Sequence, residues 1–304
     1  MTKRFYSNGK LLITGEYVVL DGAVALALPT KMGQDLIVEE TAEANTIRWK
    51  SFDFDQSVWF ETTLNTLEVV GHLNKSSENS IEDILKKILF EAHQLNPKLI
   101  PNNGYTIETH LTFPRFWGLG TSSTLINNIA QWFEINAFKL LKNSFGGSGY
   151  DIANAQNNVP ITYKLSDGIP LIQQIEFKPN YSGNLYFLYL NQKQDSKTAI
   201  LNYRKKQSDV HETRTKINAI TEEIVTGVHL ERFTDLVQEH ENIMSELLET
   251  NTVKERYFSD FDGSVKSLGA WGGDFVLVVS ASNPKKYFES KGFTTLLPYH
   301  EMIL

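Results

Sequence analysis

Between residues 105 and 126 the chain changes period so that a strand, a turn and a helix start follow one another directly. Tyr105, Ile107, Thr109 and Leu111 alternate on one strand face. Pro114-Arg-Phe-Trp-Gly118-Leu-Gly120-Thr-Ser-Ser-Thr124 comes next, and Leu125-Ile126 opens a helical pattern that runs through about residue 141. Glycine lets a backbone approach a ligand closely, and a helix start offers free N–H groups and partial positive charge. Thr121, Ser122, Ser123 and Thr124 add four hydroxyls. Together these make a cradle for an anion such as phosphate, although a plain glycine turn with a serine cap leaves the same pattern. It is not a P-loop, because no Lys-Ser/Thr follows at the required spacing. It is not a dinucleotide Gly-x-Gly-x-x-Gly either, because Ser123 stands where the third glycine should be.

The surrounding pattern is mixed. Residues 11–14, 24–28, 36–39, 46–49 and 58–60 read as short strands, separated by Gly15, Asp21-Gly22, Pro29 and Gly33. Ser80-Ile-Glu-Asp83 signals a helix start, and Ile81, Ile84, Leu85, Ile88, Leu89 and Ala92 repeat at helical spacing up to Pro97. Further on, 161–164 and 185–190 read as strands and 195–204, 209–225 and 230–248 as helices. Strands at 265–267 and 275–280 flank a loop at 269–273, and a helix from Pro284 with a short final strand ends the pattern. This is an α+β protein, and 304 residues suit two sub-domains, here 1–160 and 161–304.

Three further segments carry candidate chemistry. Asp151 lies behind Gly146-Gly-Ser-Gly149, where a carboxylate can accept a proton from a hydroxyl attacking a phosphoryl group, or simply cap the helix that follows. Lys10 follows Asn8-Gly9 and is placed to neutralise phosphate or an ionised hydroxyl, or to face water. Glu16, in Gly15-Glu-Tyr17, is a candidate to orient Lys10 or touch substrate, with a surface turn as the alternative. Gly269-Ala-Trp-Gly-Gly273-Asp274 offers main-chain amides ahead of an apolar strand, an arrangement that a tight turn also explains.

Composition removes other classes. The net charge of -7 provides no global basic field for nucleic acid or an anionic membrane. With no cysteine there is no disulfide, thiolate nucleophile or cysteine-ligated zinc. The seven histidines (72, 93, 110, 211, 229, 240 and 300) show no metal-ligand pairing, and no Gly-x-Ser-x-Gly elbow occurs. No run approaches 18 apolar residues and no apolar leader opens the chain, so a cytoplasmic protein is expected, for which the match of Asn74-Lys-Ser76 to a glycosylation acceptor has no meaning.

Taken in order, the segments Asn8-Gly-Lys-Leu-Leu-Ile-Thr-Gly-Glu-Tyr-Val-Val-Leu-Asp-Gly22 with Ala25-Leu-Ala-Leu-Pro29, Gly118-Leu-Gly-Thr-Ser-Ser123 and Gly269-Ala-Trp-Gly-Gly-Asp274 resemble the signatures of the GHMP kinases. The first is most similar to the opening of mevalonate and phosphomevalonate kinases. Gly146-Gly-Ser-Gly-Tyr-Asp151 resembles the loop bearing that family's aspartate, and Gly-Tyr-Asp-Ile-Ala resembles its GYDIA-type bacterial branch.

The resemblance implies a two-lobed fold, a ribosomal protein S5 domain 2-like N-terminal lobe plus a ferredoxin-like C-terminal lobe, with ATP and acceptor meeting between them. It implies ATP and Mg2+ as cofactors and a small acceptor, mevalonate or phosphomevalonate. It is compatible with a homodimer and implies neither a nucleic-acid nor a membrane partner. By position Lys10 and Asp151 are the catalytic pair, and Gly118, Leu119, Gly120, Thr121, Ser122, Ser123 and Thr124 hold the nucleotide. Glu16, Gly269, Ala270, Gly272 and Gly273 face the substrate, and Ser122 lies at Mg2+. In relatives a glutamate joins that serine. The matching place here is near Leu140, so Glu134 on the same helix is the candidate, and Trp271 replaces a glycine of the third motif. Arg115, Lys193 and Lys197 are candidates for an anionic acceptor. A non-catalytic nucleotide-binding homologue and a diphosphomevalonate decarboxylase are the alternatives.

Overall fold

The computed structural model describes residues 2–71, 80–99, 103–193, 196–205 and 210–304. The glycosylation acceptor motif at residues 74–76 and the side chain of Lys197 lie outside the described residues. The chain divides into two compact units, each assembled from several stretches: residues 1–9, 32–115 and 119–156 in the first, and 10–31, 116–118 and 157–304 in the second. The strands β1 (Thr2–Leu12) and β2 (Ala25–Thr41) each contribute to both units.

In the first unit, β3 (Thr46–Phe52), β4 (Val58–Asn65) and β5 (Gly104–Leu111) join the later half of β2 in the order β4-β3-β5-β2. β3 runs antiparallel to β4 and parallel to β5, and β5 is antiparallel to β2 with Gln34 opposite Leu111. The helices are α1 (Thr66–Gly71), α2 (Ile81–Leu95), α3 (Thr121–Phe133), α4 (Ala137–Ser144) and α5 (Tyr150–Ala155). Leu36, Val38, Ile47, Trp49, Tyr105 and Ile107 from the strands pack with Leu85, Ile88 and Leu89 of α2 and Ile126, Ile129 and Phe133 of α3 into one core. The alternation expected of β5 is observed: Tyr105, Ile107, Thr109 and Leu111 are all buried. Ser80 caps α2 as its sequence signals, its hydroxyl accepting the Asp83 N–H at 3.0 Å.

In the second unit, Ala25–Ala27 of β2 pair with β6 (Ile161–Ser166), which pairs with β7 (Ile169–Gln174). A separate antiparallel sheet is built from β8 (Leu185–Tyr189), β9 (Ser264–Ser267), β10 (Phe275–Val279) and β11 (Leu296–Pro298), in the order β11-β8-β10-β9. Its helices are α6 (Ser196–Lys205), α7 (His211–Thr226), α8 (Leu230–Leu248), α9 (Val253–Tyr257), α10 (Lys285–Ser290) and α11 (Tyr299–Met302).

Two expectations are corrected. Pro29 and Gly33 do not separate strands, since both lie inside the 17-residue β2. A Cβ at Gly33 would overlap the Ser7 carbonyl and the Tyr6 ring, so this glycine serves close approach of main chains and does not mark a break. The helix expected through residue 141 is two helices. Glu134 takes a left-handed φ of 56° that ends α3, and the Asn136 side chain then accepts from the Lys139 N–H to start α4.

Candidate functional site

α3 begins without a side-chain cap. Gly120 occupies the N-cap position at φ 100°, a left-handed conformation natural to glycine, and the first helical bond runs from Thr124 N to the Gly120 carbonyl at 2.9 Å. The N–H groups of Thr121, Ser122 and Ser123 therefore lie ahead of the helical ladder. The four hydroxyls do not act alike. Ser123 Oγ turns back to the Gly120 carbonyl at 2.9 Å, and Thr124 Oγ1 donates to Gln34 Oε1 at 2.7 Å. Both residues are buried, whereas Ser122 is exposed and Thr121 half-buried. The expected quartet of ligand-facing hydroxyls is thus reduced to Thr121 and Ser122, because the helix and β2 use the other two.

A layer of neutral polar side chains holds this helix start. Ser7 Oγ donates to Asn128 Oδ1 at 2.7 Å and accepts from Asn127 Nδ2 at 2.8 Å, while Asn128 Nδ2 donates to the Gln34 carbonyl at 2.8 Å. Gln156 Nε2 donates to Asn127 Oδ1 at 3.0 Å, tying the end of α5 to α3. Sequence reading passed over these residues. Part of their signal was available: Asn127 and Asn128 are polar residues within an otherwise apolar helix.

Asp151 lies in the first turn of α5, whose N-cap is Gly149 at φ 88° with no side-chain cap bond. Its carboxylate is therefore not the helix cap. α5 packs against α3, and Asn154, three residues beyond Asp151, donates to the Gly9 carbonyl at 3.1 Å. Gly9 is the residue before Lys10 in the chain. Glu134 stands at the far end of α3 from Ser122, about 18 Å away at 1.5 Å per residue, and its carboxylate pairs with Lys98 at 3.0 Å. It cannot share an ion with Ser122. Arg115 is taken by Asp53 and lies 5.5 Å from the Trp59 ring centroid. Among the described residues no cluster of three or more His, Asp or Glu is placed to hold a metal ion.

In the second unit, the first residues of the glycine loop are anchored by aromatics. Trp117 meets Phe275 edge-on at 5.3 Å, Tyr189 donates its hydroxyl to the Phe116 carbonyl at 3.1 Å, and the Lys193 ammonium sits 5.6 Å from the Phe116 ring centroid. Gly118 has φ 70°, and a Cβ there would overlap the Asp274 carboxylate, so the end of the 269–274 segment abuts this turn only because residue 118 is glycine. The Trp271 backbone N–H donates to the Tyr17 hydroxyl at 3.1 Å.

Glu16 is not a surface turn residue. It is 1% exposed and receives the Lys266 ammonium on Oε1 at 2.5 Å, with Oε2 lying 3.2 Å from His240 Nε2. Burial pushes its carboxyl up, and the charges of Lys266 and, more weakly, Lys10 pull it back. Lys10 is thus close enough to Glu16 to act on it electrostatically. Sequence reading missed Lys266, His240 and Glu241, although each is a charged or polar residue at a core position. His240 and Glu241 continue the stripe Phe233, Leu236, Val237 toward Met244 on α8.

No protein-family model matches the chain, and no curated protein sequence does. Solved structures do. A mevalonate kinase superposes with a TM-score of 0.71 at 14% identity, covering 99% of this chain and 99% of its own. The chain has the fold of the GHMP kinases. The Streptococcus pneumoniae phosphomevalonate kinase in complex with phosphomevalonate and AMPPNP matches at TM-score 0.70 and 16% identity, over 97% of this chain and 99% of that one. Lactococcus lactis galactokinase complexed with galactose matches at 0.69 and 12%, over 95% and 88%. The GHMP kinase fold expected from four short motifs is therefore present over nearly the whole chain. Among the described residues no helix is long and apolar enough to cross a membrane.

Proposed function

We propose that this protein is an ATP-dependent small-molecule kinase that passes the γ-phosphoryl group to an alcohol or phosphate oxygen of a small acid, with mevalonate or phosphomevalonate as the first acceptors to test. The observation that carries the reading is the uncapped start of α3. Three amides and the exposed Ser122 hydroxyl are presented there by a left-handed Gly120 and backed by a rigid polar layer. A helix start left bare and made rigid is suited to polyphosphate. The fold's likeness to a phosphomevalonate kinase solved with AMPPNP supports the same reading.

In this reading the amides of Thr121–Ser123 and the Ser122 hydroxyl grip the nucleotide phosphates. Asp151, in the first turn of α5, orients the acceptor hydroxyl and takes its proton. Lys10 offsets charge on the transferred group, and the Gly269–Gly273 amides close on the phosphates or acceptor. The exposed Ser122 hydroxyl is the group that would hold Mg2+ beside the nucleotide phosphates. When bound, the ion would neutralise phosphate charge. Positioning and charge neutralisation supply most of the acceleration in such chemistry.

The test is purified protein with Mg-ATP and a panel of mevalonate, phosphomevalonate, homoserine and sugars. Acceptor-dependent ADP release that is lost in Lys10→Ala and Asp151→Ala supports the kinase. ATP binding with no turnover on any acceptor points to a binding protein, and CO2 release from a diphosphate acceptor to a decarboxylase. Asp151→Asn is expected to lower kcat by about 100-fold or more while ATP affinity stays close to that of the unaltered protein. Equal losses in both would make the aspartate structural.

A further inference from the structure

Two adjacent residues of α8 each hold a different segment of the second unit. His240, fully buried, accepts the Gly15 N–H on Nε2 at 3.0 Å and lies 3.2 Å from Glu16 Oε2. Glu241, equally buried, accepts the Ser267 N–H at 3.0 Å and the Ser267 hydroxyl at 2.8 Å. Lys266 completes the link, donating to Glu16 at 2.5 Å and to the Ser267 carbonyl at 2.9 Å. The turn that carries Glu16 and the strand that leads directly into Gly269–Gly273 are thereby fastened to one another and to one turn of one helix.

Such a cluster is a poor way to gain stability. A buried ion pair costs desolvation on both members, and a well-packed apolar set of similar volume is often as stable or more so. Apolar side chains have no directional bonds, so they do not set the register of two loops. Hydrogen bonds to the Gly15 and Ser267 amides do.

We propose that His240 and Glu241 are positioning residues that set the register of the Gly15–Glu16 turn against the Gly269–Gly273 loop, so that both meet nucleotide and acceptor in one arrangement. The catalytic part of this proposal rests on the kinase reading above. The charged groups facing the pair are Glu16 from the turn and Lys266 from β9, and Lys10 from β1 acts on Glu16. From α7 the neutral Thr221 donates its hydroxyl to that of Thr14, the residue before Gly15. The Gly15 bond requires an unprotonated Nε2, which agrees with burial holding His240 well below its ordinary range. Burial also pushes Glu241 up to about 7 and raises the carboxyl of Glu16.

The experiment uses the full chain and four variants. His240→Gln and Glu241→Gln keep an acceptor for the Gly15 and Ser267 amides, and His240→Leu and Glu241→Leu remove it. Backbone amide exchange at 15–17 and 267–273 is read beside kcat and KM with Mg-ATP. Each leucine variant is expected to speed exchange in those two segments about tenfold or more, with the rest of α7 and α8 as protected as before. It should also lower kcat more than it changes the KM for ATP, and the glutamine variants should restore most of both. Exchange that stays unchanged in the two segments, or rises evenly across the second unit, overturns the proposal. Where a leucine variant does not fold, the glutamine pair decides: local protection close to that of the unaltered protein supports the proposal, and its loss overturns it. If the unaltered protein turns over no acceptor, the kinase reading falls, and the exchange pattern still decides whether α8 anchors the two segments.

Discussion

The polar layer beneath α3 and the charged cluster around Glu16 do similar work with opposite chemistry. Beneath α3, Ser7, Gln34, Thr124, Asn127 and Asn128 are neutral, and donors meet acceptors in a closed chain. Around Glu16 every member but Ser267 is titratable, and two buried atoms, Glu16 Oε2 and His240 Nδ1, have no hydrogen-bond partner among the described residues. Neutral amides fix geometry at any pH. Charges fix it through stronger bonds but make it depend on protonation and on every partner being present.

The sharpest way to break the comparison is Lys266→Met. It leaves Glu16 buried without its cation and should cost about 3–5 kcal/mol in denaturant unfolding. A loss below about 1 kcal/mol would mean that Glu16 carries a proton and does not need the lysine. In the neutral layer, Asn128→Leu strands the Ser7 hydroxyl and the Gln34 carbonyl. It should cost about 1–3 kcal/mol, and by the same amount at every pH, which denaturation at pH 5 and pH 8 checks.

Titration should separate the two regions next. Folded Glu241, pushed from its ordinary value of 4.5 to about 7, keeps a proton that the unfolded chain has released between those values. Its contribution is full below pH 4.5 and is lost as pH rises toward 7. The difference in stability between the unaltered protein and Glu241→Gln should therefore change by roughly 1.4 kcal/mol per pH unit across that window. His240 acts with the opposite sign. It is held neutral while the unfolded chain protonates below 6.5, so its penalty disappears as pH rises to 6.5. Difference curves of one sign for both variants would refute the assignment. The smallest effect belongs to Glu134, whose exposed pair with Lys98 is worth about 0.5 kcal/mol or less. Glu134→Gln should shift thermal unfolding barely at all, and a large loss would mean the carboxylate has a partner beyond that lysine.

Much of the architecture was legible before any coordinates. Helices at 230–248 and near 211–226, the Ser80 cap, the buried face of β5 and the glycine turn into α3 all follow from patterns spanning a few residues. The errors came where a distant partner changed a local meaning. Gly33 resembles a strand break until Ser7 is set against it. Ser123 and Thr124 resemble phosphate ligands until the Gly120 carbonyl and Gln34 take their hydroxyls. Glu134 resembles a metal ligand until the length of α3 separates it from Ser122.

By itself the sequence determined where backbone amides are left free, where glycine permits a left-handed turn, and which helix faces are apolar, because these depend on residues within one turn or one strand of each other. Tertiary structure alone decided which polar side chains are buried and with whom. Glu16 and Lys266 lie 250 positions apart, and the free energy of a buried charge depends on the partner that folding brings to it.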